Sequence, residues 1–226
     1  MRNLEISVGE HYHLYNRGVN RENIFLDDAD RIRFIFLLLH QQTRNKIFHA
    51  KRNVESFQKY KTFTPYQSTI GKTVLEREVE LVNFVLMGNH FHLTVKEERE
   101  NGISKYMHRV LLAYSKYFNL KYKRTGHLFE SRFKAVHVTD NTQLLHLSAY
   151  IHKNPKEIKE WRGREYQYPW SSLSDYIGTN RWGNLLKPNI VLDQFPTENE
   201  YRKFVETSKA KEIDSVISDS HIFNDA

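Results

Sequence analysis

The chain contains no cysteine, and that absence removes a disulfide framework, a thiolate nucleophile and a thiolate metal site together. Any metal must then sit on imidazole, carboxylate or amide ligands, and the composition fits a reducing cytoplasm, which is the expected location. Long apolar runs are also missing. No stretch approaches the roughly 18 uninterrupted apolar residues of a membrane span, and the start MRNLEISVGEHYH lacks the apolar run of a signal peptide. No membrane partner is therefore expected. There is no internal repeat, and no carboxylate-rich cluster of the kind that would serve a metal-dependent hydrolase of small phosphoesters.

What is present describes a packed, basic protein. A hydrophobic content of 39% with 13% aromatics over 226 residues is enough for one well-buried domain. We expect a main domain over residues 1–180, carrying an insertion at about 44–76, and a C-terminal extension over 181–226 packed on the same domain. Thirty-four Lys and Arg against 27 acids give a net charge of +7, the balance of a protein that meets phosphate backbones, although charge alone does not identify such a partner.

Periodicity supplies the outline. Residues 11–17 (HYHLYNR) alternate like a strand, and 16–23 (NRGVNREN) form a polar, basic loop suited to phosphate contact. Asp27 or Asp28 can cap a helix over 28–43, whose Ile32, Ile35, Phe36 and Leu39 recur at helical spacing. The polar and weakly periodic stretch 44–76 reads as an insertion on the core rather than part of it. From Val79, VELVNFVLMGNHFHLTVK reads as a hairpin broken at Met87-Gly88-Asn89, its second arm beginning at His90. A helix over 102–122, a strand around Phe133 to Val136, and a helix over 141–153 ended by Asn154-Pro155 follow, with a short helical pattern near 198–207. Helices on a small antiparallel sheet, an α+β fold, are the expected architecture.

His90-Phe91-His92 carries the most chemistry. Alternation along a strand points both imidazoles the same way while Phe91, Leu93 and Val95 face the core, which makes half a metal site. In a chain with 12 histidines the bare triplet reads equally as a hydrogen-bonded pair. On the helix before Asn154-Pro155, Tyr150 and Asn154 stand four residues apart and share a face. His146 and His152 flank that face and read either as groups supporting the site from behind its ligands or, as the simpler expectation, as solvated histidines. Trp170 reads as a core anchor for the tail.

LMGNHFHLTV resembles the HUH motif (histidine, hydrophobic residue, histidine) of the single-tyrosine transposases. HYHLYNRGVNRENIF, LMGNHFHL, RTGHLFESRFKAV, AYIHKNP and YPWSSLSDYIG resemble, in order, segments of the REP-associated tyrosine transposases, so the resemblance runs from about 10 to 205. Gly88 stands where that family usually has proline, which loosens the turn but removes no ligand. The resemblance implies a ferredoxin-like HUH endonuclease fold and cleavage of single-stranded or hairpin DNA through a 5′-phosphotyrosine, releasing a 3′ hydroxyl. It implies Tyr150 as nucleophile, with His90, His92 and Asn154 holding Mg²⁺ or Mn²⁺. A phenol with a pKa near 10 needs such help at neutral pH.

Of the 13 tyrosines, Tyr114 and Tyr117 are the competitors for the nucleophile. Arg17, Arg21, Lys121, Lys123, Arg124, Arg132 and Lys134 fall in matched segments among aromatics and are the expected DNA contacts, about half of them touching DNA. Members of the family include homodimers; a monomer is the other expectation, since the long tail could cover a dimer surface. A non-catalytic hairpin-binding module that keeps the fold is the alternative to the enzyme. The four intact residues His90, His92, Tyr150 and Asn154 favour the enzyme.

Overall fold

Residues 5–44, 49–63 and 67–209 are described by the computed structural model of the chain. Strand β1 (His11–Arg17) buries Tyr12 and Leu14 in the larger core and turns His13 and Tyr15 to the other side. Helix α1 (Asp28–His40) follows, shorter at its C-terminus than the expected 28–43. Asp27 caps it in a reciprocal box: its side chain accepts from the Asp30 N–H, while Asp30 accepts from the Asp27 N–H. Helices α2 (Ala50–Tyr60) and α3 (Gln67–Glu76) come next, then the hairpin β2 (Val79–Leu86) and β3 (His90–Glu97). Helix α4 (Gly102–Tyr122), strand β4 (Lys134–His137) and helix α5 (Asn141–Lys153) complete the central part.

The strand order is β2-β3-β1-β4 and every pair is antiparallel. Two βαβ halves thus interleave in the ferredoxin-like way, and the fold is α+β as the sequence pattern implies. Phe91, Leu93 and Val95 join α1 and α4 in one core, whereas Val82, Val85 and Met87 meet α5 on the opposite face. A bulge lets β2 serve both. Val82 is an extra residue between the pairs Leu81↔Val95 and Asn83↔Thr94, so Val79 and Leu81 before it and Phe84 and Leu86 after it all reach the same core.

The insertion is not set apart from the core as its composition suggested. Val54 and Phe57 of α2 are buried there, and Phe57 and Phe63 stack on Trp182. Val54 and Phe57 stand three residues apart on one face of an otherwise polar helix, so α2 is amphipathic but its apolar stripe is only about one turn long. Residues 45–48 and 64–66 of the insertion, and the tail from 210, lie outside the described residues.

After α5 the chain forms α6 (Leu173–Tyr176), α7 (Asn189–Leu192) and α8 (Glu198–Thr207). This segment seals the outer edge of β2. The N–H of Leu86 donates to the Trp170 carbonyl and that of Ser172 to the Phe84 carbonyl. Lys187 N–H donates to Leu81, and the Tyr176 and Tyr168 hydroxyls donate to the Val82 and Leu86 carbonyls. Trp170 packs against both cores, as an anchor should.

Candidate active site

Directly opposed residues in antiparallel strands share a face, so the register assembles the site in rows. Lys134, Tyr15, His92 and Val85 make one row; Val136, His13, Thr94 and Asn83 make the next, and Arg17 stands opposite His90. This is the face that α5 covers. The rings of His90 and His92 lie edge to face at 5.2 Å between centroids, with Phe91 between them in the far core. The strand reading of the triplet is what the structure contains.

Each imidazole has a hydrogen-bonding neighbour at Nδ1. His92 Nδ1 is 2.8 Å from His13 Nε2, and the two rings stack at 5.0 Å. Burial pushes the His13 pKa down to about 3, so His13 stays neutral in any ordinary buffer. His90 Nδ1 is 2.7 Å from Asn89 Oδ1. Sequence reasoning overlooked His13, although its signal was the same as that of the HUH pair: His11 and His13 are also two apart on a strand.

Tyr150 is half-buried and stands edge-on to both buried imidazoles, 5.4 Å from His92 and 6.1 Å from His13 between ring centroids. Its competitors are elsewhere. Tyr114 is fully buried and donates to the Ile24 carbonyl, and Tyr117 donates to Asp30; both lie on α4, across the sheet from the histidines. Burial raises both phenols, Tyr117 to about 12. Tyr15, which sequence reasoning did not weigh, is a neighbour of the site, 5.8 Å from His92 and 4.9 Å from His13. Asn154 is buried and joins through Tyr150, its Nδ2 donating to the Tyr150 carbonyl at 2.9 Å. That bond commits the amide nitrogen and leaves the oxygen as the atom it can offer a cation.

His152 is a correction. It is fully buried rather than solvated, with Nδ1 2.6 Å from the Tyr201 hydroxyl and Nε2 2.8 Å from Ser172 Oγ. Tyr201 also meets Ser148 at 2.6 Å, and Ser148 accepts from Asn83. A continuous polar chain therefore ties α5 to α8 and to the sheet, behind Tyr150. His146 is half-buried beside Phe204.

Among the expected DNA contacts, several cations already have protein partners. Arg17 makes a two-pronged pair with Glu130 at 2.9 and 3.2 Å. Lys121 bridges Asp27 and Asp30, and Arg124 meets Glu22. Lys134 lies 6.0 Å over the Tyr15 ring, at the edge of the histidine face. Arg21, Lys123 and Arg132 are exposed.

No group of three or more His, Asp or Glu able to hold a metal occurs among the described residues. A cation on His90 and His92 would therefore complete its shell with an amide oxygen, water or substrate oxygens, which is the donor set that suits a hard divalent ion. No curated protein is found to match the chain. It is similar to a solved structure described as a REP-associated tyrosine transposase bound to a REP hairpin, at 14% identity over 81% of this chain and 88% of the other, with a TM-score of 0.49. The family model of the IS200-like transposases matches residues 9–154, which is well over half of the sequence and includes both histidines, Tyr150 and Asn154; the chain belongs to the IS200-like transposase family.

Proposed function

We propose that this transposase cleaves and rejoins single-stranded DNA next to hairpins, in the manner of the REP-associated branch, with Tyr150 as its nucleophile. One observation carries the reading: helix α5, laid across the histidine face, brings the Tyr150 ring to 5.4 Å from His92. The Tyr150 oxygen attacks the scissile phosphorus; an O–P bond forms, the bond to the 3′ oxygen breaks, and that oxygen leaves with a proton. A 5′-phosphotyrosine and a 3′ hydroxyl result. Attack by a 3′ hydroxyl reverses the bonds and returns the phenol.

His90, His92 and Asn154 are the residues that would hold Mg²⁺ or Mn²⁺, which when bound polarises the phosphate. The rest falls to the chain itself. The bonds of His152 to Tyr201 and Ser172 hold α5 against the sheet and so orient Tyr150. Lys134 and Arg17 flank the histidine rows and are the cations we assign to the DNA backbone, Arg17 exchanging its Glu130 partner for phosphate.

The test is an adduct assay: labelled single-stranded hairpin DNA from beside the gene, with Mg²⁺ or EDTA, run on a denaturing gel. We expect a metal-dependent shifted band with wild type and with Tyr15→Phe, and none with Tyr150→Phe. An undiminished band in Tyr150→Phe removes that residue as nucleophile, and its loss in Tyr15→Phe alone transfers the role. Salt-sensitive binding with no adduct in any protein would leave the non-catalytic hairpin-binding module.

A further inference from the structure

The tip of the β2-β3 hairpin is tied down on three sides. The Gly88 carbonyl accepts from the N–H groups of both Ile24 and Phe25, at 3.0 and 3.1 Å. The Asn89 carbonyl accepts from Gly18, and the Asn89 side chain reaches into the same loop, its Nδ2 donating to the Arg21 carbonyl at 3.0 Å. That carbonyl comes from an unusual stretch of backbone. Asn20 and Arg21 both sit in the left-handed region, at φ 54° and 60°, a conformation that persists for non-glycine residues where surrounding contacts impose it.

The bond to Arg21 decides which way the Asn89 amide faces. A carbonyl can only accept, so the amide nitrogen must point to Arg21, and the atom left facing His90 is the amide oxygen. An oxygen 2.7 Å from His90 Nδ1 also can only accept. The hydrogen of a neutral His90 is thereby placed on Nδ1, and its lone pair on Nε2. Free imidazole side chains favour the opposite arrangement, with the hydrogen on Nε2, which cannot ligate a metal through that nitrogen.

We infer that Asn89 is a positioning residue: clamped by the Arg21 carbonyl, it holds His90 in the tautomer whose Nε2 is ready for a divalent cation. The inference rests on the reading of His90 as a metal ligand. It also links two parts of the molecule, because the 18–23 loop, itself a candidate phosphate contact, sets the state of the ligand through Arg21 and Asn89.

Two measurements on the full chain separate this inference from the reading beneath it. Imidazole ¹⁵N NMR of the metal-free protein should show His90 with a pyrrole-type Nδ1 and a pyridine-type Nε2. Asn89→Ala should move it towards the Nε2–H form, and Asn89→Asp, which keeps the acceptor, should restore Nδ1–H. Titration with MnCl₂ by calorimetry should then show affinity about 10- to 100-fold weaker in Asn89→Ala, the usual cost of losing such a partner. A wild-type His90 carrying its hydrogen on Nε2 overturns the inference with no variant needed. So does an Asn89→Ala protein with unchanged tautomer or unchanged Mn²⁺ affinity. Wild type that binds no Mn²⁺, or His90→Ala that binds it equally well, instead refutes the ligand reading, while the NMR result still decides the tautomer.

Discussion

Acidification should weaken this fold along a limb to which His152 contributes one identifiable proton. Burial lowers its pKa from 6.5 to about 3, and its two ring nitrogens meet the Tyr201 and Ser172 hydroxyls, with the Tyr176 ring 4.6 Å away. Burial raises both tyrosine hydroxyls, so neither titrates alongside it. Between these two pH values the unfolded chain binds a proton that the folded chain refuses. The stability is therefore whole above pH 6.5 and falls as pH drops through the window, by about 1.4 kcal/mol per pH unit. At pH 5.0 the loss from this residue is about 2 kcal/mol. His13 and His40, lowered by burial to about 3 and about 4, add slopes of the same sign. Comparison with His152→Gln cancels them. Urea unfolding of both proteins from pH 7.5 to 5.0 should give profiles that converge on acidification, the variant falling less steeply by about 1.4 kcal/mol per pH unit. Parallel profiles would refute the claim that His152 is neutral and buried in the folded state.

Three further outcomes are expected. Tyr201→Phe removes the hydroxyl shared by His152 and Ser148 and should cost about 2–3 kcal/mol, read as a fall in Tm of roughly 5–10 °C. Gly18→Ala should destabilise the protein, because a Cβ there would stand 2.1 Å from the Glu22 carbonyl oxygen and 2.8 Å from Ile24; a variant as stable as wild type in thermal unfolding would contradict the packing of this loop. If Lys134 and Arg132 each neutralise one phosphate, substituting either by Ala should make the slope of log affinity against log salt shallower by about 0.7 for single-stranded DNA, measured by fluorescence anisotropy.

The elements that sequence patterns located are those whose signal is local. Alternation marked β1 and β3, and helical spacing marked α4 and α5, because each depends on one face meeting one core. The bulge at Val82 left no such mark: VELVNFVL is apolar nearly throughout, and the extra residue is visible only against β3. His152 was misread for a related reason. A helical wheel fixes where a side chain points around its own axis, but what covers it here comes from Ser172 and Tyr201, 20 and 49 residues further on. The pairing of His90 with His92 could be read from spacing two apart, whereas the contact of His13 with His92 spans 79 residues and needs the register.

The sealing of β2 has a consequence for how the protein is divided. The family match ends at residue 154, yet the groups that occupy the outer edge of β2 come from 168–187. A chain cut at the end of the match would keep every proposed catalytic side chain and lose that cover. It would present Leu81 to Leu86, an almost wholly apolar strand, with unpaired N–H and C=O groups along one side. Another copy could pair there as a fifth strand, so the shortened transposase would be expected to self-associate, which makes residues 168–187 a cover against edge-to-edge pairing.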